Sequence, residues 1–462
     1  MTLLLQALPL LTLIALLASG RVGAVPACTI AMAVSLPAVL LHADGAALPG
    51  LLADALAQGA WLALVPCAII AAGMVFHAAI PEQPATGSAA LPVDTIFTAA
   101  FLLGPFTETV TGFGVGLVFS LGVMRRAGVG GSHAALMALI SQLFIPWGGL
   151  GPGTAIGAAL AGISPGALAA ASAWITSAML ILLLPAFWHW CRLAGHPVPG
   201  PTKIRHGVWV LAICVGLVLW HRLAPWELCG ALATGTVLIA RLWLAAPPRN
   251  AAALRHAIAA AAPYLLLIGI LLASRLWPNP PSWQPIANLP AVPLTHAMVG
   301  IWLAALVQLS LRPRRLARLA DALRRVRRPV SALLMFALLS RLLFNAGVPQ
   351  GLALALAAAF GGAAPFAGPL LAGIAGFLAG TNVGANSVMM PLQAELGRLA
   401  GLPPVLLPSI QNGTAFLLVS PQLTAMAAGV AGAGATQAEI WRRAWPVPLA
   451  ALLVGLAVVG LG

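Results

Sequence analysis

Charge is what this chain lacks. Only 7% of its 462 residues are charged and 61% are hydrophobic, where soluble domains run near 25% charged. That balance excludes a water-surrounded globular surface and makes the bilayer the expected solvent. Lysine is nearly absent. Lys203 stands alone, so a Gly-x-x-x-x-Gly-Lys-Ser/Thr phosphate loop cannot form, and ATP-driven transport by this chain alone is excluded. Cys28, Cys67, Cys191, Cys214 and Cys229 sit in or at the ends of apolar runs without metal-ligand spacing, and read as small packing residues. His77, His133, His189 and His221 are equally scattered. No metal and no cofactor is expected. Paired aspartates, His-Glu-x-x-His and a Ser/His dyad are missing near the polar stretches, so the chain is not read as an enzyme.

What is present is apolar length. Many runs, such as residues 62–80, reach the ~20 residues that span a bilayer as helix. About twelve spans follow from that criterion. The expected fold is therefore all-α, a polytopic membrane protein with two re-entrant hairpins and inverted repeats. Residues 1–19 are apolar without a basic start, and read as a retained first helix instead of a cleaved signal. The net charge of +14 does not point to nucleic acid, because the arginines lie between apolar runs. Arg312, Arg314, Arg315, Arg318, Arg324, Arg325, Arg327 and Arg328 cluster around Asp321, as in a cytoplasmic loop obeying the positive-inside rule.

Fixing that cluster inside places Arg125, Arg126, Arg192, Lys203 and Arg205 inside too, and the uncharged loop 279–293 outside. If residues 93–122 enter and leave on one face, Arg21 falls inside while Asp44 and Asp54 fall outside, which the rule favours. Pro105, Gly104, Gly112, Gly114 and Gly116 suit such a broken hairpin. Irregular backbone at that depth survives only within protein or around a polar cavity. The other half repeats the pattern. Residues 366–396 form a second expected hairpin around the polar stretch 380–387, entering from the opposite face. Interrupted helices follow each hairpin, at 134–160 and 402–432. The chain thus divides into an N-terminal half (1–206), central helices with the basic loop 312–328 (207–328), and a C-terminal half (329–462). Opposed hairpins and broken helices are the marks of secondary transporters, whose site lies where the interruptions meet.

The residues at these interruptions resemble the L-lactate permease family of bacterial proton-coupled carriers. Gly104-Pro-Phe-Thr-Glu-Thr-Val-Thr-Gly-Phe-Gly114 is similar to that family's Gly-Ala-Phe-x-Glu-x-x-x-Gly-Phe-Gly. Gly380-Thr-Asn-Val-Gly-Ala-Asn386, running on to Gln393, is similar to its Gly-Ser-Asp-Thr-x-x-Asn…Gln. Val419-Ser-Pro-Gln422 is similar to its Ile-Ser-Pro-Gln. Three positions differ: a family proline is Gly116 here, an acid is Asn382, and a lysine is Leu417. The resemblance implies a carrier of lactate or glycolate in the bacterial inner membrane.

A small carboxylate must shed water to cross, so the site must offer directed donors. Breaks expose helix N-termini, and the expected substrate-binding residues are Thr107, Thr109, Thr111, Gly112, Gly114, Gln142, Thr381, Asn382, Asn386, Ser387, Gln411 and Asn412. Burial disfavours the charged form of a carboxylate, which makes Glu108 the expected proton carrier: once protonated, it no longer repels an arriving anion. Arg341 is read either as a carboxylate partner or as a side chain snorkelling to the outer interface, and Glu395 with Arg398 as a helix-surface pair. The expected function is proton symport of a small hydroxy-monocarboxylate. The alternative is another organic or inorganic anion, or sodium coupling. The expected partners are the anion, a proton and the lipid bilayer, with a homodimer as a further assembly and no nucleic acid.

Overall fold

The computed structural model describes residues 2–19, 21–42, 48–79, 92–112, 114–245, 247–248, 250–274, 276–287, 289–431 and 434–462. Asp44 and Phe113 lie outside them. Helix dominates because hydrocarbon offers no partner for a free backbone N–H or C=O, and a helix satisfies both internally. Among the described residues the only strands are Ser282–Trp283 and Val292–Pro293, an antiparallel pair in loop 279–293. Trp61 ties this ribbon down, donating its indole N–H to the Pro290 carbonyl at 3.1 Å and meeting Trp283 edge-on.

Six helices among the described residues are long and apolar enough to cross a membrane, or eight if two bent pairs count as one span each. This is fewer than the apolar runs suggest. Several apolar segments form helices of 10–17 residues, such as Pro152–Ala161, set off by Gly151 and Gly162, and Ala297–Ser310. The basic stretch also differs from a loop. Residues 315–328 form the first turns of a single helix, Arg315–Asn345, with Pro329 inside it. Arginine, alanine and leucine are strong helix formers, and the arginines remain exposed on this extension. That helix runs through position 328/329, and Gly200–Leu223 runs through 206/207, so the chain passes both points without a linker.

Two helical hairpins carry the polar breaks. The first descends through Pro92–Thr98, a π-helical turn Ala99–Leu103 and Gly104–Thr111, then returns as Val115–Arg126. The arms run antiparallel: the Ser120 hydroxyl on the return arm donates to the Ala99 carbonyl at 2.7 Å. The second hairpin descends as Ala367–Ala379 and returns as Asn382–Leu399, with the Gln393 amide donating to the Gly368 carbonyl at 2.8 Å. Each is followed by a broken helix, Gly131–Leu139, Ile140–Leu150 and Pro152–Ala161 in one case, Leu406–Asn412, Ala415–Val419 and Pro421–Ala431 in the other. Gln142 and Gln411 stand ten residues ahead of Pro152 and Pro421 in their respective broken helices.

A charged latch holds the base of the first hairpin. Asp94 accepts from Arg241 at 2.8 Å and from Arg205 at 2.8 Å, and Arg241 Nε donates to the Thr98 hydroxyl at 2.8 Å. His206, fully buried, stacks on Phe97 beside them with ring centroids 4.0 Å apart. Arg241 is nearly enclosed, so removing its counter-charge strands a cation. We expect Asp94→Ala to cost about 3 kcal/mol or more, read as a lowered melting temperature in detergent. The paired replacement Asp94→Leu with Arg241→Leu should recover most of that loss.

Candidate functional site

The break in the first hairpin is made by Gly112 and Gly114, whose φ angles of 72° and 78° lie where L side chains rarely go. Opening the helix there leaves amide N–H groups without partners. Glu108, one turn earlier and 2% exposed, fills that need. Its Oε1 accepts from the Gly114 N–H at 3.2 Å, and its Oε2 accepts from the Gly116 N–H at 3.0 Å and from Gln142 Nε2 at 3.0 Å. The carboxylate therefore caps the return arm across the break. Gln142 also donates to the Ser141 hydroxyl at 3.1 Å.

Gly116 contributes in two ways. A Cβ there would lie 2.2 Å from the Gly104 carbonyl and 2.7 Å from Glu108 Cβ, so the arms could not close. A proline, the residue of the similar family at this position, has no N–H to give Glu108. All three threonines bond back to the backbone of their own arm. Thr107 and Thr111 donate back to the carbonyls of Leu103 and Thr107 on their own helix, at 2.7 and 2.6 Å. Thr109 likewise donates to Phe106 at 2.8 Å, and its methyl lies beside Gly230 on the helix Cys229–Ala245.

A second polar set gathers on Asn412, where the second broken helix is interrupted. Its Oδ1 accepts from Asn382 Nδ2 at 3.0 Å and Asn386 Nδ2 at 2.8 Å; its Nδ2 donates to the hydroxyls of Thr154 at 3.0 Å and Ser172 at 2.9 Å. Asn386 also donates to the Gly153 carbonyl at 2.9 Å, and Thr154 to the Pro146 carbonyl at 2.6 Å. Thr381 caps the return arm by accepting from the Gly384 N–H at 3.1 Å. Gln393 donates to Gln411 Oε1 at 3.4 Å. Asn386 Oδ1, Ser387 Oγ, Gln393 Oε1 and Gln411 Nε2 are buried without a partner among the described residues. Buried polar atoms are ordinarily bonded, so these four are the open hydrogen-bonding positions of this set.

The structure thus draws Glu108, Gly114 and Gln142 into one set, and Asn382, Asn386 and Asn412 into another. Among the described residues no hydrogen bond joins the two. They meet through residues 146–154 of the first broken helix: Gly148 faces the Glu108 carboxylate, while Gly153 faces Asn382 and Asn386. Gly112 abuts Gly149 in the same segment. Leu417, at the family's lysine position, is buried in apolar core. Arg341 joins neither set. Its guanidinium bonds Gln58 and lies over the Phe344 ring. Glu395 and Arg398 pair on the helix surface.

Sequence reading missed Gly153, Thr154 and Ser172. Thr154 directly follows the glycine-rich interruption and was findable there; Ser172, alone in an apolar helix, carried no signal. Asn412 satisfies four groups at once, and each buried group left unpaired costs about 1–3 kcal/mol. Asn412→Leu is therefore expected to lower the melting temperature more than Asn382→Ala, which removes one donor only. Equal losses in the two variants would show that Asn412 is not the hub.

The sequence profile of the L-lactate permease family matches residues 291–460. That span holds the stretches 380–393 and 419–422, and not the stretch around Glu108. Among curated proteins none matches this chain. Among solved structures, the YdaH transporter of Alcanivorax borkumensis, described as having an unusual topology, is 16% identical, covers 91% of this chain and 89% of its own, and superposes with a TM-score of 0.45. Over residues 291–460 the chain carries the sequence pattern of the L-lactate permease family, and the protein is a multi-pass membrane transporter.

Proposed function

We propose that the protein is a proton-coupled carrier of small hydroxy-monocarboxylates such as lactate or glycolate, in a bacterial inner membrane. The observation that carries this reading is the Glu108 carboxylate seated on the Gly114 and Gly116 amides at a helix break. Those amides are the donors a substrate carboxylate needs, and Glu108 holds them while the site is empty. A proton arriving on Glu108 removes its charge and weakens its hold, because charge-assisted hydrogen bonds are roughly twice as strong as neutral ones. The substrate carboxylate then takes the amides. Exchange of one carboxylate for another at the same donors ties one proton to one anion.

The second set supplies the other end of the site. Asn386, Ser387 and Gln411 have polar atoms left over, suited to a 2-hydroxyl and to the far carboxylate oxygen. Breaks in both halves, each beside a hairpin tip, support alternating access about a pseudo-twofold arrangement. A sodium-coupled reading of the same fold draws on one observation: Asn386 Oδ1 and Ser387 Oγ are buried neutral oxygens without partners among the described residues.

Proteoliposomes containing the protein should accumulate radiolabelled lactate when the outside is made acidic, and Glu108→Gln should abolish that accumulation while leaving equilibrium exchange. Full gradient-driven accumulation by the variant would remove Glu108 from proton coupling. Accumulation that follows a sodium gradient at constant pH would move the coupling to Asn386 and Ser387.

A further inference from the structure

A cavity of about 1480 Å³ runs along the first hairpin between its outer face and the helices Cys229–Ala245 and Ala251–Ser274. Thr107, Thr111 and Val115 line it near the break; Arg126, Arg318 and Arg325 line it near the hairpin base. Pockets that grip a small ligand measure roughly 300–1,000 Å³, so this space is too large to hold a lactate-sized anion by fit. Its middle wall is apolar, with Phe106 and Tyr264 meeting edge-on at 5.1 Å. Its charge is confined to one end. There, three arginines face a single acid, Asp321, which pairs with Arg325 at 2.8 Å. Arg318 is oriented by a bond to the Ala78 carbonyl at 3.1 Å, and Arg126 is exposed.

We infer that this cavity is the cytoplasmic vestibule of the transport route, and that Arg126, Arg318 and Arg325 form its anion-collecting mouth. The inference rests on the proposed carriage of a carboxylate for its cargo, and on the arginine-rich ends facing the cytoplasm for its side. A cleft of one charge sign between low-dielectric walls focuses field lines and raises the local concentration of the opposite ion, with on-rates increased 10- to 1,000-fold. Clustered arginines at the base concentrate anions where they enter. The wall beyond is mostly apolar, with Thr236 and Tyr264 among its few hydrogen-bonding side chains, and it leads on to Thr107 and Thr111, beside the break that Glu108 closes. The opposite face of Glu108's helix meets the broken helix, so vestibule and carboxylate lie on two sides of one helical turn.

The test needs no transport. Ala261, on the cavity wall, is replaced by cysteine in the full-length protein, and inside-out membrane vesicles are treated with thiosulfonate reagents carrying either a sulfonate or a trimethylammonium group. Labelling is measured against the parent chain, whose five cysteines are buried or half-buried. Ala261→Cys should react faster with the sulfonate reagent than with the cationic one, and only from the cytoplasmic face. Arg126→Gln with Arg325→Gln should slow the sulfonate reaction about tenfold and leave the cationic rate unchanged or higher. Arg126→Lys with Arg325→Lys should restore the preference, which separates charge from folding. Leu232→Cys, on the opposite wall, serves as a second reporter if Ala261→Cys is poorly folded. Equal rates for both reagents in every variant, or labelling only by membrane-permeant reagents, would overturn the vestibule. A protein that fails to carry lactate yet keeps the anionic preference would retain the vestibule and lose only the proposed substrate.

Discussion

Everything in this molecule turns on the cost of an open backbone at bilayer depth. Where a helix stops inside hydrocarbon, its N–H and C=O groups have no water to bond. The chain stops helices there repeatedly, and at the two hairpins it must supply replacements from its own side chains. At the first break the replacement is a carboxylate, Glu108, across from the amides of Gly114 and Gly116. At the second it is a hydroxyl, Thr381, on the Gly384 amide, with Asn412 gathering the polar groups behind it.

That difference gives the two halves unequal chemistry on similar frames. Each half pairs a hairpin with a helix broken near a glutamine and a proline. Only the first half places an ionisable group at its break. The second half meets the same structural need with neutral amides, consistent with Asn382 and Leu417 standing where the similar family has an acid and a base. Removing both charges avoids the penalty of one unpaired ion in the interior. The proton-coupling role proposed here accordingly falls on one side chain, and the neutral set is left to position the guest.

Packing around the breaks is tight and aromatic. Phe97 and Phe101, on the descending arm of the first hairpin, stack on each other, and Phe187 meets Phe101 edge-on, while the Asp94 latch fixes the hairpin's base. Along the outer face of the same hairpin, the helices Cys229–Ala245 and Ala251–Ser274 stand apart and leave the arginine-mouthed cavity. One element thereby borders both that cavity and the buried carboxylate.

The solvent of the protein, its helical class and the places where helices fail were all legible in the sequence. Composition sets the first, backbone satisfaction in lipid sets the second, and the glycines at 112 and 114 and at 380 are local conformational requirements needing no partner. The number of spans was less legible, because an apolar run does not reveal where proline and glycine shorten the helix within it. Nor was the helical character of residues 315–328 read from their charge. Which polar groups meet was decided only by tertiary structure. Thr154 and Ser172 reach Asn412 from far along the chain, and Gly116 reaches Glu108 only because two arms cross at backbone distance. Such hydrogen bonds are fixed by the packing of whole helices, and no local pattern of residues encodes that packing.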